Sequence, residues 1–383
     1  MMRRMDRQPT AAAASPPIPE RDPMPLHGVH HVELHVGNAL QAAYYYEHAF
    51  GFRRVAYRGL ETGVRDRASH VLAQGRVRLV VTGALRSDSP IAAHHRRHGD
   101  GVRVIALSVP SVERAYREAV ERGAEGVAAP HAASDEHGSV GLATIAAYGE
   151  TLHTFVERGD YAGAFLPGYR PVGDAGAEGP DPMLLAIDHI VGNVELGAME
   201  RWVSFYEEVF GMTEMIGFTD EQISTEYSAL MSKVVSDGRG LVKFPINEPA
   251  HGRRRSQIDE YLEFYEGPGA QHLALATRDI VGTVAELRRR GVEFLAIPAG
   301  YYDELPARVP AVAGRLAELR EQGILVDRDD EGHLLQIFTK PVGDRPTLFF
   351  EIIERHGARG FGDGNFKALF EAIEREQDRR GNL

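Results

Sequence analysis

The sequence predicts an α+β fold: four β-α-β-β-β modules, paired into two half-open barrels and followed by a C-terminal helix. Two internal repeats and one set of strand-like runs predict it. GVHHVELHVGNALQAAYYYEHAFGF, from Gly28, and AIDHIVGNVELGAMERWVSFYEEVFGM, from Ala186, share one plan. Each is a short apolar strand, a turn, and an amphipathic helix closing on F-G-F or F-G-M. VRVIALSVPSVERAYREAVERGAE, from Val102, and AQHLALATRDIVGTVAELRRRGVE, from Ala270, form a second pair. In it Gly123 matches Gly291 and Ala106 matches Ala274 at one common offset. The strand-like runs follow the helices: VRLVV from Val77, GLVKFPI from Gly240, LLQIFT from Leu334 and LFFEII from Leu348. They are rich in β-branched and aromatic residues and bounded by Gly or Pro.

Taken along the chain, residues 1–25 are Ala/Pro-rich and read as a flexible extension. Residues 26–160 hold the first two modules, with Gly51 placed as a left-handed cap after the first helix. Residues 161–182 read as a linker, because PGYRPVGDAGAEGPDP is full of Gly, Pro and acidic residues and has no apolar period. Residues 183–383 hold the other two modules. There Met199, Trp202, Val203, Tyr206 and Phe210 fall at helical spacing, and Gly211 caps them. One module cannot bury its sheet face alone, so the modules pair. A last helix is expected over 365–378, with Phe366, Leu369, Phe370 and Ile373 on one stripe and Asn365 as its N-cap. Gly360, Gly362 and Gly364 precede it and allow it to swing as a lid; a helix fixed over the barrel is the other reading.

Composition narrows the chemistry. The 383 residues include no cysteine, which excludes disulfides, thiolate metal sites and thiol nucleophiles. Any metal site must use nitrogen and oxygen donors, and there are 17 histidines to supply nitrogen. A net charge of -12 argues against nucleic acid as a partner. No apolar run approaches the roughly 18 residues of a membrane span, and the N-terminus lacks the apolar core of a signal peptide. The expectation is a cytoplasmic protein.

The repeat register selects candidate ligands. His189 lies in the first strand of the third module and His272 in the first strand of the fourth, so pairing brings them together. Glu351 sits among Leu348, Phe349, Phe350, Ile352 and Ile353, where a charge is costly unless it is paired or bound to a cation. A solvent-facing edge strand is the alternative for Glu351. Two histidines and one carboxylate form the facial triad of non-haem Fe(II) oxygenases, which leaves three coordination positions for an α-keto acid and O2. A rival set, His31, Glu33 and His35, alternates along the first strand, but Val104 stands where the register requires the partner of His272. HHRRH, His94 to His98, reads as an exposed basic turn without metal-ligand spacing. DRDDEGHLLQIF from Asp327 begins like a calcium loop but ends on Phe338, and reads as a hairpin turn. GFGDGNF, Gly360 to Phe366, lacks dinucleotide-binding spacing and reads as a bend.

Several long motifs then resemble the 4-hydroxyphenylpyruvate dioxygenase family. They are SKVVSDGRGLVKFPINEPAHGRRRSQIDEYLEFYEGPGAQHLALAT, GVEFLAIPAGYYDEL, LVDRDDEGHLLQIFTKPVGDRPTLFFEIIER and GFGDGNFKALFEAIEREQ. The resemblance covers the chain from Leu26 and is densest from Glu221 onward. It implies the vicinal-oxygen-chelate fold, and Fe(II) held one per chain by His189, His272 and Glu351. It implies 4-hydroxyphenylpyruvate and O2 as substrates, no separate 2-oxoglutarate, and homogentisate and CO2 as products in tyrosine and phenylalanine catabolism. The reaction runs through decarboxylation, ring hydroxylation and side-chain migration, with no separate protein acid or base.

By the same resemblance Ser232, Pro245, Asn247, Gln257, Gln271, Gln336, Phe338 and Phe349 line the substrate pocket. Phe361, Gly362, Asn365, Phe366 and Leu369 form its lid or wall, and a homo-oligomer, dimer or tetramer, is implied. Neutral amides and hydroxyls suit a phenol and a carboxylate that must be oriented without neutralising the metal. Two other functions remain open at this point. 4-Hydroxymandelate synthase uses the same substrate but hydroxylates the benzylic carbon, and a barrel that only binds a small acid is a different class altogether.

Overall fold

The computed structural model describes residues 24–173, 181–218, 230–250 and 255–382. The first module is β1 (Gly28–His35), α1 (Ala39–Phe50), β2 (Arg53–Arg58), β3 (Arg67–Gln74) and β4 (Val77–Ala84). After α2 (Pro90–His98) the second runs β5 (Gly101–Ser108), α3 (Val112–Glu121), β6 (Gly126–Asp135), β7 (Gly138–Ala146) and β8 (Leu152–Glu157). A two-residue strand, β9 (Arg170–Pro171), follows. The third module is β10 (Ala186–Asn193), α4 (Met199–Phe210), β11 (Thr213–Phe218), β12 (Leu230–Ser236) and β13 (Lys243–Pro249).

The fourth module follows α5 (Gln257–Tyr265) with β14 (Gly269–Ala276) and α6 (Ile280–Arg289). Two helices, α7 (Tyr301–Arg308) and α8 (Leu316–Gln322), are inserted before β15 (Leu325–Arg328), β16 (His333–Phe338) and β17 (Phe349–His356). The last helix, α9, spans Phe366–Arg380.

The helices of the two repeats stop alike, although Asn38 caps the start of α1 with its side chain and Ala198 gives α4 no such cap. Gly51 and Gly211 take the left-handed conformation, φ 75° and 69°, and end α1 and α4. The strands order as β6-β7-β8-β5-β1-β4-β3-β2-β9 in one sheet and β11-β12-β13-β10-β14-β17-β16-β15 in the other. Each sheet centres on an antiparallel pair, β1 with β5 and β10 with β14. That pair is flanked by parallel neighbours, β4 and β8 or β13 and β17. Strands β15, β16 and β17 thus repeat β6, β7 and β8.

The helices cross-pack between halves. Phe50 of α1 meets Phe350 of β17 with ring centroids 4.9 Å apart. Tyr206 of α4 bonds His153 of β8, hydroxyl to Nε2, at 2.9 Å. Burial holds His153 neutral, at about 4, so Nε2 is free to accept. Phe350 and Ile352 face these helices, and alternation turns Phe349 and Glu351 to the opposite face.

Four sequence expectations change. Residues 1–23 of the expected extension lie outside the described residues, and Met24 is already buried, so core packing begins before Leu26. The expected linker is partly built into the first sheet. Phe165 packs with Ala56, Val71 and Val80, and β9 pairs with β2, because these apolar side chains interrupt the Gly/Pro run; residues 174–180 lie outside the described residues. HHRRH is helical, capped by Ser89 with Pro90 in its first turn, and His94 and His98 are buried. Asn365 makes no side-chain cap on α9; a 3-10 turn, Asp363–Asn365, leads in instead.

The halves are also joined by Gln74. Its amide donates to the Phe50 carbonyl at 2.9 Å and accepts from the Leu184 N–H at 2.7 Å. Gln74→Leu leaves both backbone groups unpaired, and urea unfolding should show a loss of about 1–3 kcal/mol. Unchanged stability would mean that water replaces the amide.

Candidate metal centre and its pocket

Three neighbouring strands place the candidate ligands. Register pairs His189 with Ala274, and Ala274 with Glu351, so the three stand in one row across β10, β14 and β17. His272 lies two residues before Ala274 on the same face. The small Ala274 side chain leaves space between the imidazole and the carboxylate. Its part in the site was not foreseen in the sequence, where Ala274 served only as a repeat match to Ala106.

The three side chains converge. His189 Nε2 lies 3.1 Å and His272 Nε2 3.5 Å from the same Glu351 oxygen, Oε2. The three ligand atoms all lie within 4.8 Å of one another, and all three residues are buried. Glu351 is in an interior strand, which removes the edge-strand alternative. Its second oxygen, Oε1, is buried without a hydrogen-bond partner.

A further ring of contacts orients the imidazoles. His189 Nδ1 donates to Asp188 at 2.8 Å and His272 Nδ1 to the Gln271 amide oxygen at 3.0 Å. In the neutral form each Nε2 therefore presents its lone pair toward Glu351. Acceptors facing one another at these distances call for a cation between them. The orphaned Oε1, the lone pairs and the N2O donor set fit a divalent transition ion. Asp188 is itself held by Arg355, at 2.8 Å through two nitrogens, and by Lys243 at 3.1 Å.

Electrostatics follow the contacts. Burial opposes ionisation of Glu351, yet the two imidazoles hold its carboxyl down at about 2. Burial also disfavours a charged His189, but Glu351 and Asp188 outweigh it and raise its pKa above 6.5. For His272 burial prevails and the pKa falls. Asp188, despite burial, is held well below the carboxylate range by His189 and Arg355.

A cavity opens on this cluster. Ser232, Pro245, Asn247, Gln257 and Gln271 line it, with Phe338, Phe349, Phe361, Phe366 and Leu369. Phe349 stacks on the His272 ring, with centroids 4.7 Å apart, and Phe361 meets His189 edge-on at 5.0 Å.

Three expected residues are not in the lining. Gln336 is buried behind Gly362, where a Cβ would stand 2.3 Å from its amide nitrogen. Gly362, at φ 85°, makes that close turn. Asn365 accepts from the Tyr301 hydroxyl at 2.6 Å and from Arg308 at 3.1 Å, anchoring the start of α9. Val191, Leu230, Val234 and Phe370 also line the cavity and were missed. Val191 and Val234 sit two residues past His189 and Ser232, so strand alternation was the available signal. His31, Glu33 and His35 do not gather as a ligand set: His31 pairs with His30 at 2.8 Å, and Glu33 accepts from Thr82 at 2.6 Å.

Known proteins are similar throughout. The profile of the Glyoxalase/Bleomycin resistance protein/Dioxygenase superfamily matches residues 28–140 and 186–337. The 4-hydroxyphenylpyruvate dioxygenase of Dictyostelium discoideum is 50% identical, over 94% of this chain and 100% of its own. That of Aspergillus fumigatus is 46% identical, over 98% of this chain and 99% of its own. A solved triple mutant of 4-hydroxymandelate synthase from Streptomyces coelicolor superposes with a TM-score of 0.85. It is 38% identical and covers 92% of this chain and 100% of its own.

The Asp188 contact sets an expected outcome. Asp188→Asn should weaken metal binding about 10–100-fold in a competition titration with a chelator. In the unaltered chain, binding should weaken as pH falls, by about tenfold per unit below the raised His189 pKa, because protons then compete for Nε2. A flat pH profile would remove His189 from the ligand set.

Proposed function

The chain belongs to the Glyoxalase/Bleomycin resistance protein/Dioxygenase superfamily and, within it, to the 4-hydroxyphenylpyruvate dioxygenases. From that premise we propose that it converts 4-hydroxyphenylpyruvate and O2 to homogentisate and CO2, in tyrosine and phenylalanine catabolism. The observation that carries this reading is the convergence of His189, His272 and Glu351 at the base of a cavity lined by phenylalanines and neutral polar groups. His189, His272 and Glu351 would hold Fe(II), which would supply O2 activation and binding of the substrate's own α-keto acid.

The side chains do the rest by position. Ser232, Asn247, Gln257 and Gln271 offer neutral donors and acceptors to the phenol and the carboxylate. Phe338 and Phe349 hold the aryl ring, and Pro245 shapes the strand that presents Asn247. Phe361, Phe366 and Leu369 keep water from the cavity, with α9 as its cover. Among the described lining residues only Glu351 carries an acidic or basic charge besides the histidines, so no separate protein acid or base enters.

The first half is non-catalytic on this reading. Register puts Val104 and Thr154 where His272 and Glu351 stand, so only His31 repeats a ligand. It instead carries most of the exposed large apolar side chains, Leu40 and Tyr44 among them, which suits an assembly surface of a dimer or tetramer. Among the described residues no helix is long and apolar enough to cross a membrane, and we place the enzyme in the cytoplasm.

Two measurements check this. With Fe(II), NMR should identify homogentisate as the product, and His272→Ala should abolish it; 4-hydroxymandelate instead would assign the chain to the synthase activity of its structural neighbour. Sedimentation should give a homo-oligomer, and a monomer at micromolar concentration would remove the assembly surface.

A further inference from the structure

A second gathering of imidazoles sits on α2, β1 and the turn between β7 and β8, none of which contributes to the pocket. His94 and His98 stand four residues apart on α2 and share one helix face. Each is 2% exposed. With Glu150 they bring one potential ligand atom each within 4.8 Å of one another. His35, at the end of β1, adds a fourth group, with its ring centroid 4.9 Å from that of His94.

The hydrogen bonds around this cluster are incomplete in a specific way. His98 Nδ1 faces the Tyr265 carbonyl, which can only accept. Nδ1 therefore carries the hydrogen, and Nε2 turns its lone pair to Glu150 Oε1, 3.5 Å away. A ring N–H given to a backbone carbonyl is the outer contact that a metal-bound histidine makes. Both ring nitrogens of His94, and Nδ1 of His35, are buried without a hydrogen-bond partner. Arg97 and Arg103 approach Glu150 at 3.4 and 3.3 Å and fix its carboxylate beside the rings.

A proton on His98 Nε2 would answer Glu150 but leave both His94 nitrogens orphaned. A metal ion takes one His94 nitrogen and the Glu150 carboxylate at once. We propose that His94, His98 and Glu150, with His35 alongside, form a second metal site for a borderline transition ion of the Zn(II) or Co(II) class. Paired histidines four apart on a helix with a carboxylate opposite are a donor set such ions take, and no thiolate is needed. The ion has a structural consequence. Through Tyr265 it ties α2 of the first half to the end of α5, whose first residue, Gln257, lines the catalytic cavity.

Co(II) binding to the full chain tests this by stoichiometry and visible absorption. Two equivalents are expected in the unaltered protein, one in His272→Ala and one in His94→Gln. In His272→Ala, whose remaining site is the proposed one, Zn(II) should raise Tm by roughly 2–4 °C. No bound equivalent in His272→Ala overturns the proposal, as does a second equivalent that survives His94→Gln. Should His94→Gln fail to fold, anomalous scattering at the cobalt edge locates the ion in the unaltered protein. A second peak anywhere but between His94 and Glu150 also overturns it.

Discussion

A carboxylate buried in the middle of a sheet requires positive charge, and the second half of this protein is arranged around meeting that requirement for Glu351. The residue stands on the concave face of β17, between two interior strands, with one oxygen shared by His189 and His272 and the other unpartnered. In low dielectric such a group is tolerated only beside a cation. Protonation of His189 answers part of the demand, and a divalent metal answers all of it. The small Ala274 leaves the room between the ligands, while Phe350 and Ile352 fill the opposite face of the same strand with core.

The charge arrangement continues outward to the cover of the cavity. Asp188 fixes His189 and is fixed in turn by Arg355. Arg355 also donates to the carbonyls of Ala358 and Gly360, at 3.3 and 2.6 Å. On the other side of that segment Asp329 accepts from the N–H groups of Arg359 and Gly360, and Asp327 from that of Gly364. The acidic run that begins like a calcium loop is thus a hairpin whose carboxylates hold the approach to α9. At the far end of that helix Arg380 and Asn382 bind Glu260 of α5. His189 is therefore joined through Asp188 and Arg355 to the segment that carries Phe361 and leads into α9.

The duplicated fold repeats one strand order about the central pair in both halves. His31 and His189 occupy equivalent register positions, but Val104 and Thr154 stand in the first half where His272 and Glu351 stand in the second. The first half compensates by burying its histidines elsewhere, His30 against His31 and His94 against His98. The number of histidines was accordingly a poor guide to the site, since most of them lie in the half without the triad.

Local pattern determined much of this protein. Gly51 and Gly211 mark helix ends because only glycine takes the left-handed cap without strain. The repeat register pointed to His189 and His272, because equivalent strands of paired modules must meet, and Glu351 was pointed to by its apolar neighbours and the family resemblance. Other features depended on what lies across space. HHRRH looked exposed by composition, yet the Ser89 cap makes it helical, and packing against Tyr265 buries two of its rings. Asn365 looked like a cap, but Tyr301 and Arg308 on an inserted helix take its side chain first. Phe165 and β9 turned part of an expected linker into sheet, because an open strand edge and an apolar hollow were waiting for them. Sequence alone indicated the modules, through periodicity and repeat offset, and proposed the three candidate ligands, through register, an apolar setting for Glu351 and the family resemblance. Only the tertiary structure decided which buried polar groups find partners, since those partners come from segments far apart along the chain.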